Sequence, residues 1–251
     1  EFFLVYQPIV DLRSGRWIGA EALIRWQRGA EETVGPDIFI PVAEQAGLIG
    51  LMTQRVIELV GRDAQGVFSR RPDFHIALNL SAADLYSEET VRWLDELMAS
   101  TCAAPGNLIV EITERGFTDS HKAKEVLGTL RNKGIKIAVD DFGTGYSNIG
   151  LLQNLKLDYL KIDKSFVDSI GTEAASSGVV RHIVSMAKSL ELDLIAEGVE
   201  TKEQVTALLD IGVGFAQGWY YAKPMAYGEL MAGVANREKL VRPHKEMIVE
   251  A

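Results

Sequence analysis

Residues 3–25, which read FLVYQPIV-DLRSGR-WIGAEALIR, decide how the fold begins. Two apolar runs, at 3–10 and 17–25, have the composition of β-strands, and residues 11–16 join them. A parallel pair of strands needs a connection of roughly a dozen or more residues, and this connection is much shorter. The two strands are therefore expected to be antiparallel.

Strand-like runs recur along the rest of the chain, with helical patterns between most of them. Six further strands are expected at 75–79, 108–112, 136–140, 159–162, 192–196 and 215–221. Helical periodicity covers 37–63, 88–100, 119–133, 176–190 and 202–211, with shorter pieces near 146–155 and 228–235. Thr201 and Gln204 have the spacing of a capping box at the start of one helix. This alternation predicts an α/β fold, a TIM-like (β/α)8 barrel with an antiparallel first strand.

The chain has no proline-rich or glycine-rich linker that would divide it. We therefore interpret residues 1–238 as a single domain and residues 239–251 as a polar C-terminal tail. Because the sequence opens in a strand-like run without a methionine, we expect a domain cut from a longer protein, with an N-terminal sensory or membrane region missing. No stretch has the length and apolar character of a membrane span or a signal peptide. A cytoplasmic domain is expected, in a parent protein that could be anchored in the inner membrane.

Composition and charge exclude several classes of function. The 251 residues are 47% hydrophobic and 24% charged, which is ordinary for a globular protein. The formal net charge of −9 argues against long nucleic acid as a partner. A small phosphorylated ligand remains compatible, since a divalent metal can reverse the local sign of an acidic site. The single cysteine, Cys102, excludes an internal disulfide, and the four histidines lack the spacing of zinc ligands.

Acidic residues close or interrupt short apolar runs at four places along the chain. These acids are Glu21, Glu111, the adjacent pair Asp140-Asp141, and Glu197. A single acid on a half-buried strand could be a helix cap or a member of a buried ion pair. Four such places along the whole chain indicate carboxylates that converge on one metal site.

The residue types around these acids indicate which metal would bind. Strand parity places the polar side chains of the different strands in the upper interior of a barrel. Adjacent acids such as Asp140 and Asp141 repel each other, but they can reach two neighbouring cations. Two hard cations about 3.5–4 Å apart are the arrangement that cleaves phosphodiesters. An all-oxygen ligand set favours Mg²⁺ or Mn²⁺ over zinc, and here it comprises Glu21, Asn79, Glu111, Asp140 and Asp141.

An ordered set of motifs carries a resemblance to a known family. The set is Tyr6-Gln7-Pro8-Ile9-Val10, Glu21-Ala22-Leu23, Asn79-Leu80-Ser81, Glu111-Ile112-Thr113-Glu114, Asp140-Asp141-Phe142-Gly143-Thr144-Gly145-Tyr146-Ser147, Lys161-Ile162-Asp163, Ala196-Glu197-Gly198-Val199-Glu200 and Gln217-Gly218. From about residue 3 to residue 235, the chain resembles the EAL-domain cyclic di-GMP phosphodiesterases. The tripeptide alone would be worthless as a signal, whereas the ordered set is highly specific.

The resemblance implies an activity and a role for the matched residues. It implies a TIM-like barrel with an antiparallel first strand, a homodimer, and hydrolysis of the bacterial second messenger cyclic di-GMP to linear pGpG. The implied metal ligands are Glu21, Asn79, Glu111 and Asp140, with Asp140 and Asp141 serving a second ion. Lys161 would hold the attacking water. Glu197 would act as general base or as a water-mediated ligand of the second metal, and these two roles stay open.

The remaining matched positions are expected to bind substrate or to support the site. Arg25 would contact a substrate phosphate, and the other substrate-binding residues would be Gln7, Leu23, Asp163, Glu200 and Gln217. Glu114 would face away from the barrel axis and, with Thr144, stabilise the loop of residues 140–147. Asn148 departs from the family pattern, in which a second serine is common, but a small polar residue keeps its hydrogen-bonding ability. Activity is therefore expected to persist.

Two other functions are compatible with parts of this pattern. One is a non-hydrolytic receptor module for cyclic di-GMP, although such modules typically lack a metal ligand or the base, and all of these are present here. Without the family resemblance, a Mg²⁺-dependent barrel enzyme that abstracts a carbon-bound proton through Lys161 would also fit. Product analysis with cyclic di-GMP separates the three.

Overall fold

The structure is a computed structural model, and it describes residues 1–29, 32–117, 120–143, 152, 155–170 and 176–235. The strands are β1 Phe2–Asp11, β2 Trp17–Arg28, β3 Glu32–Val34, β4 His75–Leu80, β5 Leu108–Thr113, β6 Lys136–Phe142, β7 Tyr159–Ile162, β8 Asp193–Ala196 and β9 Phe215–Ala216. The helices are α1 Pro36–Gln45, α2 Ile49–Arg70, α3 Ala82–Leu85, α4 Glu88–Thr101, α5 Ser120–Asn132, α6 Lys164–Val167, α7 Ser176–Ser189, α8 Lys202–Ile211 and α9 Tyr227–Ala235. A short 3₁₀ helix, Glu114–Gly116, follows β5.

Eight of these strands close into a barrel, which confirms the fold predicted from the sequence. The order around the barrel is β1, β9, β8, β7, β6, β5, β4 and β2, and pairing of β1 with β2 completes the circle. β1 is antiparallel to both of its neighbours. The other pairs in the circle are parallel. β3 lies outside the circle and pairs with the end of β2.

The turn that reverses β1 is held by its own polar groups. Asp11 accepts hydrogen bonds from the backbone N–H and the hydroxyl of Ser14, both at 2.7 Å. Gly15 adopts a φ of 68°, which glycine does without strain. In the resulting register Phe3 lies opposite Arg25, near the carboxyl end of β2. The first residues of the chain therefore lie at the rim formed by the carboxyl ends of the parallel strands.

The interior of the barrel has two layers of opposite chemistry. The lower layer is buried and apolar, and it comprises Ile9, Ala77, Ile109, Ala138, Tyr159 and Ile195. Side chains on one face of a strand recur at every second residue. Two positions further along the parallel strands, the upper layer is therefore polar and contains Asn79, Glu111, Asp140, Lys161 and Glu197. A separate and larger apolar core lies between the outside of the barrel and the helices.

Two elements differ from the sequence prediction because of glycine residues. The helix expected over 37–63 is two helices, α1 and α2, and Gly47 between them adopts a φ of 68°. The last strand, expected over 215–221, ends after Ala216. At Gly218 the chain packs so closely on Val199 that a Cβ would lie 2.2 Å from its backbone N and O. The N–H of Tyr221 then bonds to the carbonyl of Gly218 at 3.1 Å, which turns the chain.

Three short elements were not predicted from the sequence, whereas the predicted capping box at Thr201 is confirmed. β3, α3 and α6 contain only three or four residues each, too few to show a periodic pattern. At the start of α8, Thr201 and Gln204 form the expected capping box. Most of the helical pattern at 146–155 and all of the tail at 239–251 lie outside the described residues. In the described part of the chain, no helix is long and apolar enough to span a membrane.

His75, at the start of β4, is a buried titratable group at the lower end of the barrel. Its side chain packs against Gly19, and the residue is 7% exposed. Its Nε2 has no hydrogen-bond partner among the described residues. Burial, assisted by the charge of Lys136, lowers the pKa of His75 to about 4.

We predict that this histidine makes the domain less stable in acid. Between about pH 6.5 and pH 4 the unfolded chain binds a proton at His75 that the folded chain does not bind, so the free energy of unfolding falls as the pH falls through this window. In His75→Gln this contribution is absent, and the fall should be smaller by about 3 kcal/mol. Denaturant unfolding in EDTA at a series of pH values measures it. Parallel pH profiles for the two proteins would contradict a buried neutral imidazole.

Candidate functional site

One lysine lies at the centre of the polar layer, surrounded by acids. Lys161 Nζ lies 2.6 Å from Glu111 Oε2, 2.7 Å from Glu197 Oε1, 3.2 Å from Asp140 Oδ2 and 3.4 Å from Glu21 Oε2. Lys161 is 1% exposed and Glu111 is fully buried. We call these four acids the carboxylate ring. If all four acids were ionised, one ammonium group would not balance them, so further positive charge nearby would be favourable.

Two amide side chains hold the carboxylate ring in place. Gln217 Nε2 donates to Glu21 Oε2 at 2.7 Å and to Glu197 Oε1 at 2.9 Å. Asn79 Nδ2 donates to Glu21 Oε1 at 2.7 Å. Both carboxylate oxygens of Glu21 therefore accept hydrogen bonds from the protein, which fixes the orientation of this acid. The contacts join strands that are far apart in the sequence.

Burial and the neighbouring charges shift the pKa values within the ring. Burial, together with the charge of Glu21, raises the pKa of Glu111 well above its ordinary value. Burial also raises the pKa of Glu197, to about 8. Burial acts on Glu21 in the same direction, but the charge of Lys161 and the amide hydrogen bonds outweigh it and lower the pKa. Burial opposes the charge of Lys161, yet the surrounding acids raise its pKa well above the ordinary value. The lysine therefore stays charged at neutral pH.

The oxygen atoms of the site fit a hard divalent cation. Carboxylate oxygens of Asp140, Asp141 and Glu197 lie within 4.8 Å of one another. Glu111 Oε1 and Gln217 Oε1 are buried and have no hydrogen-bond partner among the described residues. Carboxylate and amide oxygens are the ligands that such cations prefer. The acidic cluster could therefore bind a metal ion.

The left-handed backbone of Asp141 interrupts the regular strand geometry beside the site, and carboxylate oxygens of the two adjacent acids lie within 4.8 Å of each other. The φ of Asp141 is 54°, which for a residue other than glycine costs of the order of 1–3 kcal/mol. Its N–H donates to Asp140 Oδ1 at 2.8 Å. Two residues later Gly143 has a φ of 93°, and a Cβ there would lie 2.9 Å from the ring of Phe166. Asp140 is buried in the barrel, whereas Asp141 is exposed.

A cavity of about 540 Å³ lies beside the carboxylate ring. Glu21, Asn79 and Asp140 line its inner end, and it continues between β2, α1 and α2. Leu23 and Arg25, both expected to bind substrate, line it as well. Cavities of roughly 300–1,000 Å³ are typical of small-molecule sites. The cavity is thus large enough to admit a small ligand to the ring.

Three other residues expected to contact substrate have protein partners. Gln7 is half-buried and donates to a backbone carbonyl at 3.4 Å. Asp163 caps α6, because its Oδ1 accepts from the N–H of Ser165 at 3.0 Å. Glu200 is exposed and lies 2.7 Å from Lys164 Nζ. The structure does not bring Asp163 or Glu200 into the carboxylate ring.

Of the two residues expected to stabilise the loop of residues 140–147, the structure describes Glu114. Glu114 is half-buried and begins the 3₁₀ helix that follows β5. Thr144 lies outside the described residues, as does the rest of the loop after Gly143. Their supporting role stays a prediction.

Sequence reasoning missed two polar residues in the wall of the cavity. Thr53 on α2 and Asp84 on α3 both line it, and the Thr53 hydroxyl donates to Asp84 Oδ2 at 2.7 Å. The spacing of Ser81 and Asp84 is that of a capping box, so this part of the arrangement was visible in the sequence. The pairing with Thr53 was not, because no local pattern links residues on two different helices.

The barrel fold is shared with known proteins. The family model of the EAL domain matches residues 1–224. The chain belongs to the EAL domain family. The acid of its Glu21-Ala22-Leu23 motif lies in the carboxylate ring, and the leucine lines the cavity.

Curated relatives of the chain include two proteins of Escherichia coli strain K12. The probable cyclic di-GMP phosphodiesterase PdeB is 40% identical over 220 residues, which is 88% of this chain and 42% of the relative. The probable cyclic di-GMP phosphodiesterase PdeN is 37% identical over 226 residues, which is 90% of this chain and 44% of the relative. The chain spans less than half the length of these relatives.

Solved structures with a similar fold include two proteins in complex with cyclic di-GMP. The EAL enzyme Bd1971, in a form bound to cAMP and cyclic di-GMP, matches with a TM-score of 0.89 at 31% identity. The match covers 93% of this chain and 65% of the Bd1971 chain. The PaMucR phosphodiesterase, in complex with cyclic di-GMP, matches with a TM-score of 0.86 at 33% identity. The match covers 91% of this chain and 94% of the PaMucR chain. The EAL fold therefore extends over nearly the whole chain.

We predict that Lys161→Met strongly destabilises the metal-free EAL domain. The buried carboxylates would lose the ammonium group that lies among them, and breaking a buried ion pair typically costs about 3–5 kcal/mol. Denaturant unfolding in EDTA measures the change. The surface pair of Lys133 and Asp95, 2.8 Å apart, offers a matched control, since Lys133→Met should cost about 1 kcal/mol or less.

A double variant tests whether charge is the cause of this loss. Glu111→Gln removes the acid closest to the lysine, so the double variant with Lys161→Met should recover part of the lost stability. A single Lys161→Met protein as stable as wild type in EDTA would contradict the account of the carboxylate ring.

Proposed function

We propose that this EAL domain hydrolyses one phosphodiester bond of cyclic di-GMP and releases linear pGpG. The observation that carries the proposal is the buried carboxylate ring around Lys161, open to a cavity that Leu23 and Arg25 line. The names of the relatives support the substrate, since PdeB and PdeN are called probable cyclic di-GMP phosphodiesterases. Two structural neighbours with the same barrel hold cyclic di-GMP.

We assign two divalent cations, Mg²⁺ or Mn²⁺, to this site. The residues that would hold them are Glu21, Asn79, Glu111, Asp140 and Asp141. When bound, such cations stabilise charge on phosphoryl oxygens and lower the pKa of a coordinated water. Glu111 Oε1 has no hydrogen-bond partner in the part of the chain that the structure describes, and this supports the assignment because a buried acceptor without a donor is unfavourable. Ligation by the oxygen of Asn79 requires that its amide turn relative to Glu21, and the O and N of an amide are assigned from such partners.

Glu197 and Lys161 would act on the attacking water. The pKa of about 8 makes the ionised carboxylate of Glu197 a stronger proton acceptor than an ordinary glutamate, and cations bound beside it would favour the ionised form. Lys161, which stays charged, would hold the water and offset negative charge at phosphorus. The water oxygen would bond to phosphorus as the bond to the ribose 3′ oxygen breaks, and one proton of the water would pass to Glu197. The 3′ oxygen would take up a proton from solvent, and Glu197 would then return its proton to solvent. A water-mediated contact of Glu197 with the second cation is the other role that this position allows.

Substrate binding would begin in the cavity and extend to the rim. Arg25 donates through Nη1 to the carbonyl of Ile24 at 2.8 Å, and the rest of its guanidinium is available for a phosphate. Leu23 would pack on the substrate. Gln7 and Gln217 would contact it from the barrel interior, whereas Asp163 and Glu200, being outside the ring, would contact its outer parts.

Three features of the parent protein belong to the same proposal. We propose that the domain forms a homodimer and acts in the cytoplasm, where a bacterial second messenger is found. Because the chain spans less than half the length of its curated relatives, we propose that a sensory or membrane region controls it, with anchoring in the inner membrane.

Glu114 and Thr144 would stabilise the loop that carries Asp140 and Asp141.

The first test is product formation with defined metals. With Mg²⁺ or Mn²⁺ the protein should convert cyclic di-GMP to pGpG, and excess EDTA should stop the reaction. Ca²⁺ should support it poorly, because its longer bonds and looser geometry misplace the reacting groups. Chromatography and mass spectrometry of the products measure the outcome. Full activity in EDTA would refute the metal assignment, and tight binding without turnover under every metal condition would favour a receptor module.

The second test separates a metal ligand from a base. Glu21→Ala should raise the metal concentration for half-maximal activity and lower turnover, because a ligand is lost. Glu197→Gln keeps the shape of the side chain and should lower kcat by about 10²–10⁴-fold even at saturating metal. Glu203→Gln, at an exposed acid on α8, is the matched control and should leave both values unchanged. Near-normal turnover of Glu197→Gln at saturating metal would exclude its role as base.

A further inference from the structure

Asn79 is the least constrained by packing among the interior ligands that we assign. Glu21, Glu111 and Asp140 are at most 9% exposed, whereas Asn79 is exposed toward the cavity. Among the described residues, its side chain makes one hydrogen bond, to Glu21 in the carboxylate ring. The direction of the amide therefore depends on the backbone at the end of β4, which finishes at Leu80.

The backbone after β4 is held by one buried carboxylate. Oδ2 of Asp84 accepts from the N–H of Ser81 at 3.0 Å and from the Ser81 hydroxyl at 2.7 Å. The Ser81 hydroxyl in turn accepts from the N–H of Asp84 at 3.2 Å, which closes a capping box two residues after Asn79. Asp84 is 2% exposed, so this carboxylate is almost completely removed from water.

The same carboxylate oxygen is tied to a helix on the outside of the barrel. Thr53 lies on α2, is 5% exposed, and donates its hydroxyl to Asp84 Oδ2 at 2.7 Å. Three hydrogen bonds thus meet at one oxygen and join β4, α3 and α2. Because α2 has 22 residues and packs on the barrel through Val60, Ala64 and Val67, it is a firm anchor for the end of β4.

A helix cap by itself does not account for this arrangement. α3 has four residues, so its own stability gives little reason to bury a carboxylate. Ser87 caps the longer helix α4 by accepting from the N–H of Thr90, without any buried charge. What distinguishes Asp84 and Thr53 is that both line the cavity that Asn79 and Glu21 also line.

We propose that Thr53 and Asp84 are positioning residues that hold the end of β4, so that Asn79 is presented to a cation in the carboxylate ring. The inference rests on the proposed metal site, and it concerns residues that do not touch the metal. Loss of the Thr53 hydroxyl frees the Ser81 turn from α2 and lets Asn79 reorient. Metal affinity then falls, while the barrel and its other ligands persist.

The experiment compares Thr53→Val, which is nearly isosteric but has no hydroxyl, with Thr53→Ser, which keeps the donor. Binding is measured by titrating Mn²⁺ and following the metal-induced rise in Tm, in parallel with the metal dependence of cyclic di-GMP turnover. Thr53→Val should raise the half-saturating Mn²⁺ concentration about tenfold, at the lower end of the roughly 10–100-fold loss that is typical when an outer support of a metal ligand is removed. Thr53→Ser should restore wild-type values, and kcat at saturating metal should differ little among the three proteins.

Ser87→Ala is the matched control, because it removes the cap of the neighbouring helix α4. It should lower Tm without changing the half-saturating Mn²⁺ concentration. Equal Mn²⁺ titrations for Thr53→Val and wild type, equal shifts in Thr53→Val and Ser87→Ala, or failure of Thr53→Ser to restore affinity would each overturn the positioning role. A wild-type protein whose Tm does not respond to Mn²⁺ would instead overturn the metal site itself, and this inference with it.

Discussion

Burial of four carboxylates around a single ammonium group is the constraint on which the rest of the site depends. Lys161 contacts each acid of the ring, and the whole group lies inside a barrel that is apolar below it. Such a group is stable only while its charges are matched and its lone pairs are satisfied. The amides of Gln217 and Asn79 satisfy part of this need, while burial, together with the charge of Glu21, raises the pKa of Glu111. A cation bound beside the acids would reduce the cost of burying them.

The alternation of side chains along the strands allows these charges to meet without disrupting the core. Ala77 and Ala138 are small and apolar, and each is followed two positions later by a polar residue of the upper layer. The lower layer therefore seals the barrel beneath the carboxylate ring, and the cavity opens at the opposite rim. The polar groups of the site therefore lie at one end of the barrel, and the apolar layer at the other end contributes stability.

The sequence predicted the barrel and the carboxylate ring because both follow from local patterns. Strand parity places Glu21, Glu111 and Lys161 on inward faces, and the short connection at 11–16 implies a reversed strand. Features set by contacts between distant segments were beyond this reasoning. Glu200 shares a motif with Glu197 but pairs with Lys164 at the surface, because the turn at Gly198 directs the two acids differently. The early end of β9 likewise results from its close approach to another loop, which no local pattern records.

The reversed first strand also determines where a neighbouring domain would be attached. In a barrel whose strands all run in one direction, the chain starts at the end opposite the reactive rim. Here Glu1 lies at that rim, where its carbonyl accepts from the N–H of Gln27 at 2.8 Å and its carboxylate from the indole of Trp26 at 3.0 Å. Two residues later, Phe3 is paired with Arg25 in the wall of the cavity. A segment joined ahead of Glu1 would therefore leave the barrel beside the cavity mouth, next to the strand pair that carries Arg25 and Glu21.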